Sequence, residues 1–246
     1  MSTSTVKLLE TKGLKGQYIC LSHRWGTSEM PITTEKATIE ERKRAIPEHS
    51  LPLTFRQAIM VTRRMGCDYL WIDSLCIVQD DEEDWQVEAA QMASIHRNSL
   101  LTLAAAAASG PTAGLFYTAR PELREEKPLE LSRFNVPFPV YVRRHMRYEV
   151  GHLVTGQEHT LLERGWVLQE RLLSPRVVFF GANKVAWECM TCTACECEPD
   201  LMPHRIGRYS PRAPLNPKAA FTSPLLARIS KWMKLRSSRQ SFGIIL

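Results

Sequence analysis

The stretch WIDSLCIVQDDEEDWQVEAAQM, residues 71–92, holds most of the side chains that could do chemistry. An apolar run, Tyr69-Leu70-Trp71-Ile72, stops at Asp73, passes Ser74 and Cys76, and enters an acidic cluster that leads into a helix containing Glu88. Glu88 stands three residues after Trp85 and four before Met92, so it shares the helix face drawn by Trp85, Ala89, Met92 and Ile95. An inward carboxylate has two uses. It can pair with an arginine, Arg24 or Arg164, and fix the packing. Or it can border a cleft and stabilise positive charge developing on a sugar carbon, as glycosidase carboxylates do. Burial would raise its pKa and a neighbouring cation would lower it.

A second polar group, Ser22-His23-Arg24-Trp25-Gly26, follows the strand-like QYICLS. Cys76 with His23 would make a thiol nucleophile and its base if sulfur and imidazole came within hydrogen-bond reach. A structural, buried Cys76 is the default for that residue type. Asp73 is expected to cap a turn or bind a backbone amide at the strand end. The tryptophans at 25, 71, 85, 166 and 187 read as core, with Trp25, in a loop at the strand mouth, the candidate for stacking on a planar ligand. Arg164, Gln169 and Glu170 form a polar set around Trp166, read first as a hydrogen-bonded brace and second as a ligand contact. Thiols at 189, 192, 195 and 197 crowd four ligands into nine residues. That spacing makes a strained metal cage, so no metal is expected there.

The elements that must position these groups follow from the hydrophobic pattern. LPLTFRQAIMVTRRMG reads as a helix opened by a capping box, Thr54 with Gln57, carrying Phe55, Ala58, Ile59, Thr62 and Met65 on one face and stopped at Gly66. DYLWID is a strand, the Glu88 helix comes next, and LLTLAAAAA is a third strand run. Strands that are apolar throughout, alternating with helices, predict an α/β fold with a parallel sheet core and flanking helices. A β-rich C-terminal closing region follows: short strands in PLELSRFNVPFPVYVRR, a short helix in LLERGWVLQERLLS, and a hairpin about Gly181-Ala182-Asn183. In open parallel sheets function collects beyond the carboxyl ends of the strands, which is where Ser22–Gly26 and Asp73–Cys76 fall.

Composition narrows the classes. The 246 residues are 44% hydrophobic and 24% charged, ordinary values for a globular chain. No apolar run reaches the roughly 18 to 20 residues that span a bilayer, and no signal pattern opens the chain, so the expectation is a cytoplasmic protein with reduced cysteines. Nine Lys/Arg lie from Pro203 onward without an Asp or Glu, and removing those nine from the net +6 leaves the rest at −3. A slightly acidic body excludes a nucleic-acid groove as the expected function. The tail around SPLLARISKWMKLRSSRQ reads as a basic amphipathic helix, suited either to an anionic membrane surface or to packing back on the body.

The blocks YICLSHRWG, LPLTFRQAIMVTRRMGCDYLWIDSLCIVQDDEEDWQVEAAQMASIHRNSLLTLAAAAAS, GLF at 114–116 and RGWVLQERLLSPRVVFFGANKVAWEC, in that order, resemble the fungal heterokaryon-incompatibility (HET) domain. His23 and His96 stand where tyrosine is commoner in that family. The resemblance implies a domain over residues 1–198 and a proline-spaced basic tail over 199–246, with a role in allorecognition and programmed cell death. It implies other incompatibility or signalling proteins, or further copies of the chain, as partners. The family's distant similarity to TIR domains adds cleavage of NAD. On that analogy Glu88 is the catalytic glutamate, with Ser22, Arg24, Trp25, Asp73 and Ser74 binding substrate and Arg164, Trp166, Gln169 and Glu170 as structural support. NAD then enters as substrate and no cofactor is expected. A non-enzymatic death-signalling module, or a membrane effector acting through the tail, are the alternatives.

Overall fold

Strand β1 (Tyr18–Ser22) is buried from Ile19 to Ser22, as a strand covered on both faces must be. In a computed structural model, which describes residues 5–11, 13–26, 30–118, 127–129, 140–142, 161, 164–190 and 193–195, β1 lies between two parallel neighbours. On one side β2 (Tyr69–Ile72) sets Trp71 opposite Cys20, and on the other β3 (Leu101–Ala104) sets Thr102 opposite Cys20. A short antiparallel ribbon of β4 (Lys127–Leu129) and β5 (Val140–Val142) stands apart from this sheet. Strand β6 (Arg176–Phe180) adds in parallel to β3, and β7 (Val185–Cys189) and β8 (Thr193–Cys195) continue antiparallel, giving the order β2-β1-β3-β6-β7-β8. The expected parallel core is present. The closing region does not form a separate layer: its hairpin, with Gly181 N–H donating to the Lys184 carbonyl, extends the same sheet.

The helices are α1 (Ile39–Arg44), α2 (Leu53–Arg64), the single turn α3 (Asp73–Cys76), α4 (Glu82–Asn98) and α5 (Gly165–Leu173). Helix α2 buries Phe55, Ala58, Ile59 and Thr62, and its apolar side chains join the cluster formed by Ile19, Leu21, Leu101, Leu103, Val178, Phe180 and Trp187. Side chains alternate across a strand, so Cys20, Ser22, Trp71, Thr102, Val177 and Glu188 point to the opposite face, where α4 and α5 pack side by side. Among the described residues no helix is long and apolar enough to cross a membrane.

The capping box expected at Thr54 and Gln57 is absent. Helix α2 starts from Pro52 without a side-chain cap. Thr54 Oγ1 instead accepts from Gly114 N–H at 3.0 Å, and Gln57 Oε1 accepts from Leu115 and Phe116 N–H at 2.5 and 3.2 Å. A buried loop with free backbone amides needs acceptors more than an exposed helix start does, since water can serve the latter. Gly114 has φ +84°, and a Cβ there would meet Gln57 Oε1 at 2.8 Å, so GLF needs its glycine for both backbone and space. Gln57→Ala should cost about 1–3 kcal/mol by orphaning two amides, read as a lower thermal midpoint. An unchanged midpoint would show that the loop is held elsewhere.

The acidic cluster before α4 is used locally. Asp81 caps the helix by accepting from Glu83 and Asp84 N–H, Asp84 Oδ2 accepts from Val78 N–H at 2.8 Å, and Asp80 Oδ1 accepts from Lys36 N–H at 2.8 Å. Thr34, fully buried, grips the α3 turn from the other side: its N–H donates to the Ser74 carbonyl at 2.9 Å and its hydroxyl to the Leu75 carbonyl at 2.6 Å. The Asp73 turn is therefore fixed from both flanks.

Candidate functional site at the carboxyl ends of the strands

Because β1 is flanked by β2 on one side and β3 on the other, the chain reverses direction across the sheet beside it, and a crevice at such a reversal is the usual ligand position. Ser22 and His23 leave β1 there, and Asp73 leaves β2. The Asp73 carboxylate organises the corner. Its Oδ1 accepts from Ser74 N–H at 2.8 Å and lies 3.5 Å from His23 Nδ1, while its Oδ2 accepts from Trp25 Nε1–H at 2.8 Å. Its expected contact to a backbone amide at the strand end is present. The imidazole of His23 is buried edge-on against Phe55, with ring centroids 4.9 Å apart. Burial lowers its pKa despite the opposing pull of Asp73, and Arg164 lowers it further.

From below, α5 and its N-terminal residue supply Arg164 and Glu170. Small side chains make room for them: Ala104, Ala105 and Ala106 are buried at the end of β3, and Leu161 N–H donates to the Ala106 carbonyl. Arg164 Nη1 donates to the His23 carbonyl at 3.4 Å. Glu170 is pushed up to about 7, first by burial and then by the charge of Asp73, against the lowering effects of the Ser22 hydroxyl and Arg164. The brace expected around Trp166 is split. Arg164 and Glu170 turn inward, whereas Gln169 is exposed and Trp166, in the first turn of α5, is 63% exposed.

Glu88 is half-buried on α4, and its negative charge contributes to raising the Cys76 thiol, which places it beside the α3 turn. Its own pKa is raised, chiefly by burial and then by Asp84. It pairs with neither Arg24 nor Arg164. The inward stripe of α4 is Asp84, Glu88, Met92 and His96 at four-residue steps, and Trp85, expected inside, is 50% exposed on its flank. Trp85 lies at nearly the same angle as His96, three turns earlier, so its exposure follows from its place in the first turn of α4 and not from the side it takes. Of the tryptophans read as core, Trp187 is buried, Trp25 and Trp71 are half-buried, and Trp85 and Trp166 face solvent. Arg24 is half-buried and makes no hydrogen bond or ion pair among the described residues, while Ser22 and Ser74 are buried.

Cys76 is not an activated nucleophile. Burial is the main cause that pushes its thiol up to about 12, and its sulfur accepts from Ile72 N–H at 3.5 Å. Of the late cysteine run, Cys189 is buried at the end of β7 and Cys195 stands opposite Ala186, while Cys192 and Cys197 lie outside the described residues, as does the 199–246 tail.

Two polar contacts escaped sequence reasoning. His96 Nδ1 lies 3.3 Å from Thr102 Oγ1, which lies 2.6 Å from Ser174 Oγ, and Ser174 donates to the Glu170 carbonyl at 2.7 Å. That last donation fixes the direction of the row: Thr102 donates to Ser174, and His96 donates from Nδ1. On β7 the buried Glu188 meets Arg171 Nε of α5 at 2.7 Å. The available signal was a polar residue interrupting an apolar strand, Thr102 in LLTLA and Glu188 in VAWEC.

His96 is lowered to about 4, mainly by burial. The unfolded histidine protonates near pH 6.5, so between about 6.5 and 4 the unfolded chain binds a proton that the folded chain refuses. Stability should fall through that window as pH drops, by about 3 kcal/mol for this group, with His23 acting in the same direction. His96→Asn should flatten the dependence of the thermal midpoint on pH between 7 and 4.5. A parallel slope in both proteins would assign the acid loss elsewhere.

The family model for heterokaryon incompatibility protein (HET) matches residues 18–170, more than half of the chain. The chain belongs to the HET family. Comparison with curated proteins and with solved structures returned no match. The HET match opens at β1 and closes within α5, so it spans Ser22, His23, Asp73, Glu88, Arg164 and Glu170 together. At the level of the family, the HET domain assigns the chain a role in heterokaryon incompatibility.

Proposed function

We propose that this chain triggers cell death in heterokaryon incompatibility by hydrolysing the N-glycosidic bond of NAD or a related nucleotide. In that step the C1′–N bond breaks with its electron pair going to nicotinamide, and water completes the ribose as a proton is released. Glu88 supports the reading best: a half-buried carboxylate without a cation partner among the described residues, beside the turn that ends β2. A negative charge so placed stabilises the ribosyl cation more than it would in water. Arg24 and Trp25, half-buried at the mouth, would hold the phosphates and stack on a ring, with Asp73, Ser74 and Ser22 deeper. The test is incubation of the purified protein with NAD: nicotinamide should appear in step with ADP-ribose, and its absence would remove the hydrolytic reading.

A second reading, a non-enzymatic module that signals death by self-association, is favoured by the exposed apolar side of α5. Trp166, Leu168 and Leu172 face solvent there. Light scattering across a concentration series tests it, with a concentration-independent monomer mass as the outcome against it.

A further inference from the structure

Glu88 leaves most of the polar groups at the crevice without a task. Among the described residues seven buried side-chain nitrogen and oxygen atoms complete no hydrogen bond, and five of them belong to Ser22 (Oγ), His23 (both ring nitrogens), Ser74 (Oγ) and Glu170 (Oε2). The Ser22 hydroxyl and the Leu21 carbonyl are near enough to bias the acidity of Glu170 and His23, but no contact of ordinary hydrogen-bond geometry forms. Native interiors keep few such atoms, and each needs a reason. Here four residues with unmet polar atoms surround Asp73, whose side chain is 25% exposed and opens the corner to solvent. Their chemistry selects the ligand class. Two carboxyl groups repel phosphate. No three His, Cys, Asp or Glu among the described residues converge as metal ligands. Carboxylates that accept, hydroxyls that do both and a neutral imidazole with one donor and one acceptor fit a group that itself both donates and accepts. Vicinal hydroxyls are such a group.

We propose that Ser22, His23, Asp73 and Glu170 form a site for a vicinal diol, the ribose of a nucleotide, in which one sugar hydroxyl donates to the Glu170 carboxylate. This deepens the nucleotide reading by naming which part of the substrate the crevice grips, and it gives Glu170 a substrate-binding role in place of a brace. The charged and titratable groups facing Glu170 are Asp73 from α3, Arg164 at the start of α5 and Cys20 from β1, with Ser22 its polar neighbour. A hydroxyl donating to Glu170 favours the carboxylate, and the displaced proton leaves to the buffer.

The experiment uses ADP-ribose, which lacks the scissile bond and cannot turn over. Calorimetric titration at pH 7 in two buffers of different ionisation enthalpy should show binding with release of about half a proton per ligand, since Glu170 titrates near that pH. Glu170→Gln, which keeps the volume of the acid form, should bind about tenfold more weakly and release no proton. Ser22→Ala should weaken binding and keep the release. No binding of ADP-ribose, binding by the parent without proton release, or an undiminished release in Glu170→Gln would each overturn the proposal, the second of these without any variant. Proton-linked binding without nicotinamide release would sink the hydrolytic reading and leave the diol site standing. Nicotinamide release without proton-linked binding would do the reverse.

Discussion

Glu88→Gln should melt with the parent protein while its nicotinamide release falls about 100- to 1000-fold, the usual effect of removing one preorganised electrostatic group from a transition state. The expectation rests on the absence of a partner. A carboxylate in a buried ion pair would leave an uncompensated arginine behind when changed to glutamine, at about 3–5 kcal/mol. Glu88 has no such cation among the described residues, and it is partly desolvated, so the neutral amide loses nothing in the folded state. Killing of incompatible cells should disappear with the activity. Melting curves, product chromatography and a cell-death assay on the two proteins decide it. A variant that releases nicotinamide and kills as the parent does would end the catalytic assignment. A variant that unfolds would return Glu88 to the packing.

Arg171→Met should produce the largest loss of stability. Glu188 is 2% exposed on β7, Arg171 Nε is its partner at 2.7 Å, and the guanidinium also lies over Phe179, 5.5 Å from the ring centroid. Methionine fills much of the volume and leaves a buried carboxylate without its countercharge, a cost of about 3–5 kcal/mol, or roughly 10 °C or more in thermal midpoint for a domain of this size. Adding Glu188→Leu should recover most of the loss, because replacing both members of a buried pair by apolar groups is near neutral. A single variant that melts with the parent would mean that water reaches Glu188.

The strands and their parallel order were legible because buried strands write continuous apolar runs, and the corner where Ser22 and Asp73 meet followed from the rule for carboxyl ends. What was not legible depended on partners far apart in the chain. Thr54 and Gln57 satisfy the spacing of a capping box, and only the arrival of the 114–116 backbone turns them to another use. Trp85 and Trp166 read as core because of their size, yet both stand in the first turn of their helices and are at least half exposed. Glu170 read as part of a hydrogen-bonded brace around Trp166, and only the fold brings Asp73 and Ser22 to its carboxyl.

The two covers of the sheet are fastened by different forces. Helix α2 sinks Phe55, Ala58 and Ile59 into the main core, whereas α4 and α5 each bury one residue fully, His96 and Val167, and hold on through the His96–Thr102–Ser174 row and the Arg171–Glu188 pair. Lifting α2 would expose aromatic surface that water cannot repay. Lifting the other cover gives up hydrogen bonds that water can replace and exposes only the smaller apolar cluster of Val167, Val177 and Phe179. Amide exchange is therefore expected to run faster in α4 and α5 than in α2. Glu170 rides on that cover while Ser22 stays with the sheet, so on the diol reading the site is whole only while α5 is seated.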